Sequence, residues 1–448
     1  MIDNQLKSYV KKIIDKELEK ICNIDLTINS IKNNLPYTII NNQKFTSWDD
    51  ITVSCGIPSI CIFLAEADCH FPELNLHRIA HQYIIKIQTS INNMNWNDLS
   101  LFNGLSGIGF MALMLSKNKT RYVKLIDSIN YQIIANLPKL IHYFQESFQN
   151  NDLKMGHYDI IQGLSGIGRY LIFFKEDSVI LDIIKLIINY LIDITKFIQI
   201  NDHKVPGWYI SKSNQFTDYD RLKYPNGNFN LGLSHGITGV LAFFAISLSY
   251  GICDPFQQET IKIITSWLLN FSYFENESKN WPCHISFEDY MNGHVSENNK
   301  NTQLGWCYGS LGVARTLWLV GSILNAPELQ NISIDTFKNI TCTPIKKIES
   351  MSSTFCHGIS GVIHMFNLMY KDTLVPEFQK FINMLIQILL DKYDDNYVFG
   401  FRSINWSLGK KIECDSIGLL DGTAGILLSF LACIYPMKTK WDSVFLLN

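Results

Sequence analysis

The chain has 448 residues, 47% of them hydrophobic, with 38 basic against 41 acidic side chains, enough apolar material for a large core. Near balance of charge, without a long run of one sign, argues against a nucleic-acid partner and against a polybasic membrane patch. Eleven cysteines, an odd number without paired spacing, and a charged N-terminal stretch in place of a signal peptide lead to the expectation of a reduced, cytoplasmic protein.

From the N-terminus, Leu6, Val10, Ile13, Ile14, Leu18 and Ile21 recur at helical spacing among charged residues and predict an amphipathic helix. The first of seven related segments follows, SCGIPSI at Gly56. The others are NGLSGIG at Gly104, QGLSGIG at Gly163, HGITGVL at Gly236, YGSLGVA at Gly309, HGISGVI at Gly358 and DGTAGIL at Gly422. Successive glycines stand 48, 59, 73, 73, 49 and 64 residues apart, the length of a helical hairpin with loops of varying size. After each, the chain is apolar nearly all round, as in GFMALML from Gly109, VLAFFAISLSYG from Val240 and ILLSFLACIY from Ile426. Such helices are buried on every side. Between them lie amphipathic stretches at 76–91, 122–141, 178–198, 259–271, 327–342 and 378–390.

This alternation predicts one all-α domain over 1–448, an α/α toroid in which seven apolar helices form an inner ring wrapped by seven outer ones. Glycine at the start of each inner helix is expected to let it approach its neighbours closely and to leave free N–H groups facing the mouth of the ring. Two stretches break the pattern: 203–230 and 276–302 are rich in aromatic, Pro, Gly and Asn residues and read as irregular or β-containing insertions over that mouth. Seven membrane spans are excluded, because Arg169, Arg315, His364 and Lys371 interrupt the apolar runs, which fall short of the roughly 20 residues a span needs.

Aligned on their glycines, the repeats place Cys55, Asn103, Gln162, His235, Tyr308, His357 and Asp421 just before the glycine, and Ser54, Phe102, Ile161, Ser234, Cys307, Cys356 and Leu420 one position earlier. Cys307, Cys356 and His357 therefore share equivalent positions on adjacent repeats, with His235 on the repeat before. Two thiols and an imidazole converging on one cavity make a zinc site with an open fourth position. Taken singly, each has a plainer account as a small buried hydrophobe or a hydrogen-bonded core histidine. His157, Cys283 and His284 fall outside the register and read as loop residues; Cys69, His70, His77 and His81 read as a solvated connection.

WCYG at Trp306, FCHG at Phe355, LSHG at Leu233, the closing DGTAG, and VPGWYI and NFNLGLSHG together resemble the lanthionine synthetase C family, the cyclases of lantibiotic biosynthesis, from about Ser54 onward. The resemblance implies a Zn2+ enzyme that adds precursor-peptide cysteine thiols to dehydroalanine or dehydrobutyrine, forming thioether rings. It implies Cys307, Cys356 and His357 as metal ligands, His235 and Asp159 as the acid/base pair, and Tyr308, Trp306 and Gln303 as residues near substrate or behind the ligands. Gln303 departs from the family, whose members tend to carry arginine four residues before the first ligand. An amide supplies no charge to a developing enolate; Arg221, in the first insertion, is a candidate replacement. Implied partners are the dehydrated precursor peptide, a dehydratase and an export transporter, through which the protein would reach the inner membrane surface without a span of its own.

The residue types fit that chemistry. A free cysteine, with a pKa of about 8.5, is mostly protonated at neutral pH, and metal coordination removes the proton. Two anionic protein sulfurs keep a bound substrate sulfur electron-rich, whereas three histidines would favour making hydroxide. His235 can take the thiol proton and return one to the α-carbon, and Asp159 can orient it or cap a helix start. Competing readings are another α/α-toroid enzyme, such as a zinc prenyltransferase or a glycosidase, and a non-catalytic scaffold that binds zinc, thiols or peptides. Asp159 and Asp421, the acidic residues expected to face the cavity, stand on distant repeats, which disfavours the paired carboxylates of a glycosidase.

Overall fold

The computed structural model describes residues 2–35, 37–40, 43–46, 48–92, 97–275, 277–300, 302–407 and 410–448. Each glycine turn opens a helix: Ile57–His70, Leu105–Leu115, Leu164–Leu171, Ile237–Ser249, Ser310–Leu324, Ile359–Thr373 and Thr423–Ile434. Burial follows the apolar pattern. Every residue from Ile237 to Ser247 is buried, as is every residue of Leu164–Leu171. At about 1.5–3 kcal/mol for each large apolar side chain, such helices are tenable only in an interior.

Amphipathic helices alternate with these: Asn4–Cys22, Leu76–Asn92, Val123–Gln149, Ser178–Asp193, Gln257–Asn270, Pro327–Thr341 and Pro376–Asp391. Ser178–Asp193 shows how their sequence sets them. Asp177 caps its start by accepting the Val179 and Ile180 amides at 2.8 and 3.2 Å, and Ile180, Ile183, Ile184, Ile187, Ile188 and Leu191 form the buried stripe. It ends five residues before the sequence pattern suggests, because Phe197–Ile200 pairs with His203–Pro206 across an Asn201-Asp202 turn with Asn201 at φ 51°. Val123–Gln149 runs eight residues further than expected, past an internal Pro138.

The chain divides into two compact units. One comprises Met1–Asp98, Gly107–Ile126 and Ile340–Trp441; the other comprises Leu99–Ser106, Asp127–Asn339 and Asp442–Asn448. In the second, Ile237–Ser249 packs between Leu164–Leu171 and Ser310–Leu324. In the first, Thr423–Ile434 packs against both Ile359–Thr373 and Ile57–His70, and Asn4–Cys22 lies against Pro376–Asp391 and Thr423–Ile434. The N-terminal helix is thus the amphipathic partner of the last repeat.

Hydrogen bonds join the turns at the positions that the glycine alignment makes equivalent. In the second unit, Phe102 N donates to Ile161 O at 3.2 Å and Ser234 N to Cys307 O at 3.2 Å, while Ile160 N reaches Ser234 O at 3.0 Å. In the first, Cys356 N donates to Leu420 O at 2.9 Å and Leu420 N to Ser54 O at 3.0 Å. The register is therefore a physical ladder, and it sets what precedes each glycine.

The expected role of the glycines needs correction. Close approach to a neighbouring repeat falls on the second glycine of the motif, three residues into the turn. A methyl group at Gly239 would lie 2.5 Å from the Leu233 carbonyl and 3.0 Å from the Ile160 side chain of the previous repeat. One at Gly425 would meet the Leu419 carbonyl at 2.1 Å and Cβ of Phe355 at 3.1 Å. The first glycine instead tightens its own turn, as where Gly236 N bonds Gly232 O at 2.9 Å.

The two insertions form one structure. Asn228–Asn230, from the first, pairs antiparallel with His284–Ser286, from the second, so that Asn230 faces His284. Short helices Asp218–Lys223 and Phe287–Asn292 accompany them, and Trp208 and Trp281 are fully buried. Two further hairpins, Tyr37–Ile40 with Gln43–Thr46 and Arg402–Ser407 with Lys410–Asp415, are absent from the sequence reading. His70 is no solvated residue either: its side chain is 6% exposed, pairs with buried Glu66 at 2.9 Å and stacks on Tyr435 at 4.7 Å.

Candidate active site

Cys307 ends the turn before Ser310–Leu324, and Cys356 and His357 end the turn before Ile359–Thr373. Their ligand atoms lie within 4.8 Å of one another, with Cys307 buried and the other two half-buried. Two thiols and an imidazole fit zinc and not a hard oxygen-seeking cation. A neighbouring acid strengthens the fit. Asp421 Oδ1 lies 3.6 Å from Nδ1 of His357, and that buried oxygen has no hydrogen-bond partner among the described residues. A carboxylate beside a ligating imidazole orients the ring and raises its basicity.

One repeat before Cys307, Ser234 bonds the Cys307 carbonyl through both its amide and its hydroxyl, at 3.2 and 3.3 Å. His235 follows. Its Nδ1 is 2.6 Å from Oδ2 of Asp159. A carboxylate can only accept, so Nδ1 carries the hydrogen and Nε2 is the basic nitrogen. Asp159 is fully buried, and its other oxygen accepts the Gln162 and Gly163 amides, both at 2.7 Å. One carboxylate thus holds the turn that leads into Leu164–Leu171 with one oxygen and meets His235 with the other. Phe216 packs edge-on against His235, with centroids 5.0 Å apart.

The remaining expected residues divide. Tyr308 has its ring 6.4 Å from that of His235, and its hydroxyl accepts Nδ2 of Asn230 at 2.9 Å. Trp306 is fully buried and turned into the core, where its indole N–H donates to the Phe445 carbonyl at 2.9 Å. Gln303 is exposed. Its carbonyl fills the space where a side chain on Gly309 would stand, 1.8 Å from an added methyl, and Gly309 itself sits at φ 98°. Arg221 does not replace the missing arginine, because Asp218 and the Gln215 carbonyl hold its guanidinium.

Two residues set aside as loop belong to this region. The strand pairing that opposes His284 to Asn230 brings the His284 ring to 5.5 Å from Tyr308. Cys283 is close enough for the Cys307 charge to act on it, and burial pushes its thiol up to about 12. Only the pairing of NFN with HIS, two three-residue strands 56 residues apart in sequence, would have revealed them. His157, by contrast, is a core histidine, stacked on Phe144 at 4.3 Å, with its pKa lowered to about 4 by burial.

Residues 47–446 match the family described as lanthionine synthetase C-like protein. The chain belongs to that family. Among lanthionine synthetase C-like proteins, it is 26% identical over 419 residues to nisin biosynthesis protein NisC of Lactococcus lactis subsp. lactis, an alignment covering 91% of each chain. A solved structure of nisin cyclase is similar with a TM-score of 0.78, covering 99% of this chain and 98% of that one at 23% identity. The fold is the α/α toroid expected from the alternation, and membership of the family makes the chain an enzyme of the cyclase type. Among the described residues no helix is long and apolar enough to cross a membrane.

Proposed function

We propose that this protein is a zinc-dependent lantibiotic cyclase that adds cysteine thiols of a dehydrated precursor peptide to dehydroalanine or dehydrobutyrine, forming lanthionine and methyllanthionine rings. The observation that carries the reading is the convergence of Cys307, Cys356 and His357 in a chain whose adjoining repeat holds a carboxylate-bound histidine. The same reading takes residues 1–448 as a single domain with 203–230 and 276–302 inserted at the mouth of its cavity. It also takes the protein as cytoplasmic, working beside a dehydratase and an export transporter.

Cys307, Cys356 and His357 would hold the metal, with Asp421 steadying His357. Held by these residues, zinc would supply the Lewis acidity that favours the thiolate form of a cysteine thiol at neutral pH. His235 acts through Nε2, the nitrogen its contact with Asp159 leaves basic. It accepts the thiol proton, becomes an imidazolium stabilised by the buried carboxylate, and later returns a proton to the α-carbon. Asp159 can serve this cycle because the Gln162 and Gly163 amides keep it in place. Tyr308, fixed by Asn230, lines the space beside His235.

The test is a ring-closure assay. Purified protein is incubated with a synthetic peptide carrying one dehydroalanine and one cysteine, and remaining thiols are counted by alkylation and mass spectrometry. Loss of free thiol that disappears on stripping zinc is expected. Unchanged thiol content with the zinc-loaded protein would refute the reading.

A further inference from the structure

His284 is a half-buried group beside the candidate site to which nothing above gives a task. The antiparallel pair of Asn228–Asn230 with His284–Ser286 sets it opposite Asn230. Both residues then reach Tyr308, Asn230 through its amide at 2.9 Å and His284 through its ring at 5.5 Å, tilted by 34°. Tyr224 covers another side of the imidazole at 5.4 Å. Since His235 also lies against Tyr308, at 6.4 Å, two imidazoles share one phenol ring. Neither ring nitrogen of His284 has a hydrogen-bond partner among the described residues, and the residue is half-buried.

We propose that His284 is a catalytic residue of the cyclisation, donating a hydrogen bond from its ring to the substrate carbonyl oxygen on which charge gathers as sulfur adds. This rests on the cyclase reading above. In the step concerned, the sulfur lone pair forms the bond to the β-carbon, the alkene pair moves between the α-carbon and the carbonyl carbon, and the carbonyl pair moves onto oxygen. The His284 N–H holds that oxyanion and keeps its proton. When the pair returns, the α-carbon takes a proton from His235, the equivalent of the one removed from the thiol, so the balance closes without an outside acid.

The environment suits a donor and not a proton carrier. Burial lowers the pKa of His284 well below the ordinary imidazole value, Asp220 opposes that shift, and Lys223 and His235 add to it. Tyr224 and Tyr308, whose rings lie 5.4 and 5.5 Å from that of His284, are themselves held protonated by burial. A neutral imidazole has one N–H and no charge to lose, which is what an enolate requires of a preorganised donor. Gln303 is exposed and Arg221 is engaged elsewhere, so neither takes the role.

The experiment uses the full-length, zinc-loaded protein and the dehydroalanine–cysteine peptide, comparing His284→Ala, His284→Phe and His284→Gln. Phenylalanine keeps a ring against Tyr308 without an N–H; glutamine keeps a donor without the ring. Expected are zinc content and melting temperature like the unaltered protein, kcat lowered about 100-fold or more in the alanine and phenylalanine variants with little change in KM, and partial recovery in the glutamine variant. The pH–rate profile of the glutamine variant should keep both limbs. Recovery by phenylalanine, an alanine variant within about twofold of the unaltered rate, or loss of a limb would each overturn the proposal. These outcomes leave the cyclase reading standing; an unaltered protein that closes no rings would overturn both.

Discussion

His235 and His357 occupy the same place in their repeats, each directly before the glycine that opens a buried helix, yet their surroundings differ in kind. His235 follows a serine and meets a fully buried carboxylate at 2.6 Å, supplied by the repeat before it. His357 follows a cysteine and meets a partly exposed carboxylate at 3.6 Å, supplied by the repeat after it. A short hydrogen bond to a buried acid stabilises an imidazolium, whereas an acid at the edge, near but not hydrogen-bonded, orients a neutral ring by its charge. The toroid thus offers one backbone position seven times, and the chemistry at each copy is decided by the residue before it and by which neighbour lends the acid.

The largest effects test whether the two histidines are distinct. His357→Ala should lose zinc, measured by metal analysis after dialysis, and ring closure should fall to background. His235→Ala should retain zinc and lose about 100- to 10,000-fold in ring closure. Zinc loss in both variants would erase the distinction. Asp159→Asn should follow His235→Ala in rate, by at least about 100-fold, because an amide facing Nδ1 favours the wrong tautomer. It should also lower stability by a few kcal/mol in denaturant unfolding, since the Gln162 and Gly163 amides lose an ionised acceptor.

Asp421→Asn should act more gently, on the metal. A loss of about 10- to 100-fold in zinc affinity is expected from competition with a chelating dye, with zinc-saturated turnover largely retained. Smallest is Trp306→Phe. It removes one N–H donated to the Phe445 carbonyl and should cost about 1–2 kcal/mol in unfolding free energy while leaving zinc bound. A large loss of zinc in that variant would mean that the indole positions Cys307 through more than packing.

The seven apolar runs and the glycine spacing were legible because burial and tight turns leave compositional marks that do not depend on distant residues. The positions just before each glycine were equally legible, since one local turn recurs in every repeat, and bonds from Phe102 to Ile161, from Ser234 to Cys307 and from Leu420 to Ser54 join its equivalent positions. That is why Cys307, Cys356 and His357 could be grouped without a local metal-binding spacing. His284 was not legible, because its place depends on two short strands from separate insertions. Arg221 is the opposite case: the acid that takes its guanidinium, Asp218, stands three residues before it on one short helix. The hairpin Tyr37–Ile40 with Gln43–Thr46 was missed although YTIINNQKFT carries alternation around a paired asparagine.

The N-terminal helix Asn4–Cys22 rests its buried stripe, Val10, Ile14, Leu18 and Ile21, in the unit that contains Pro376–Asp391 and Thr423–Ile434, and packs against both helices. During synthesis those partners leave the ribosome long after it. At ordinary translation speeds of about 5–20 residues per second, the first helix waits roughly 20–80 seconds for its final neighbours. The nascent chain must therefore shelter an apolar surface until those partners emerge, either in a provisional packing or with a chaperone. Moving Asn4–Cys22 to a position shortly after Thr423–Ile434 would shorten that wait to a few seconds at the same translation speed.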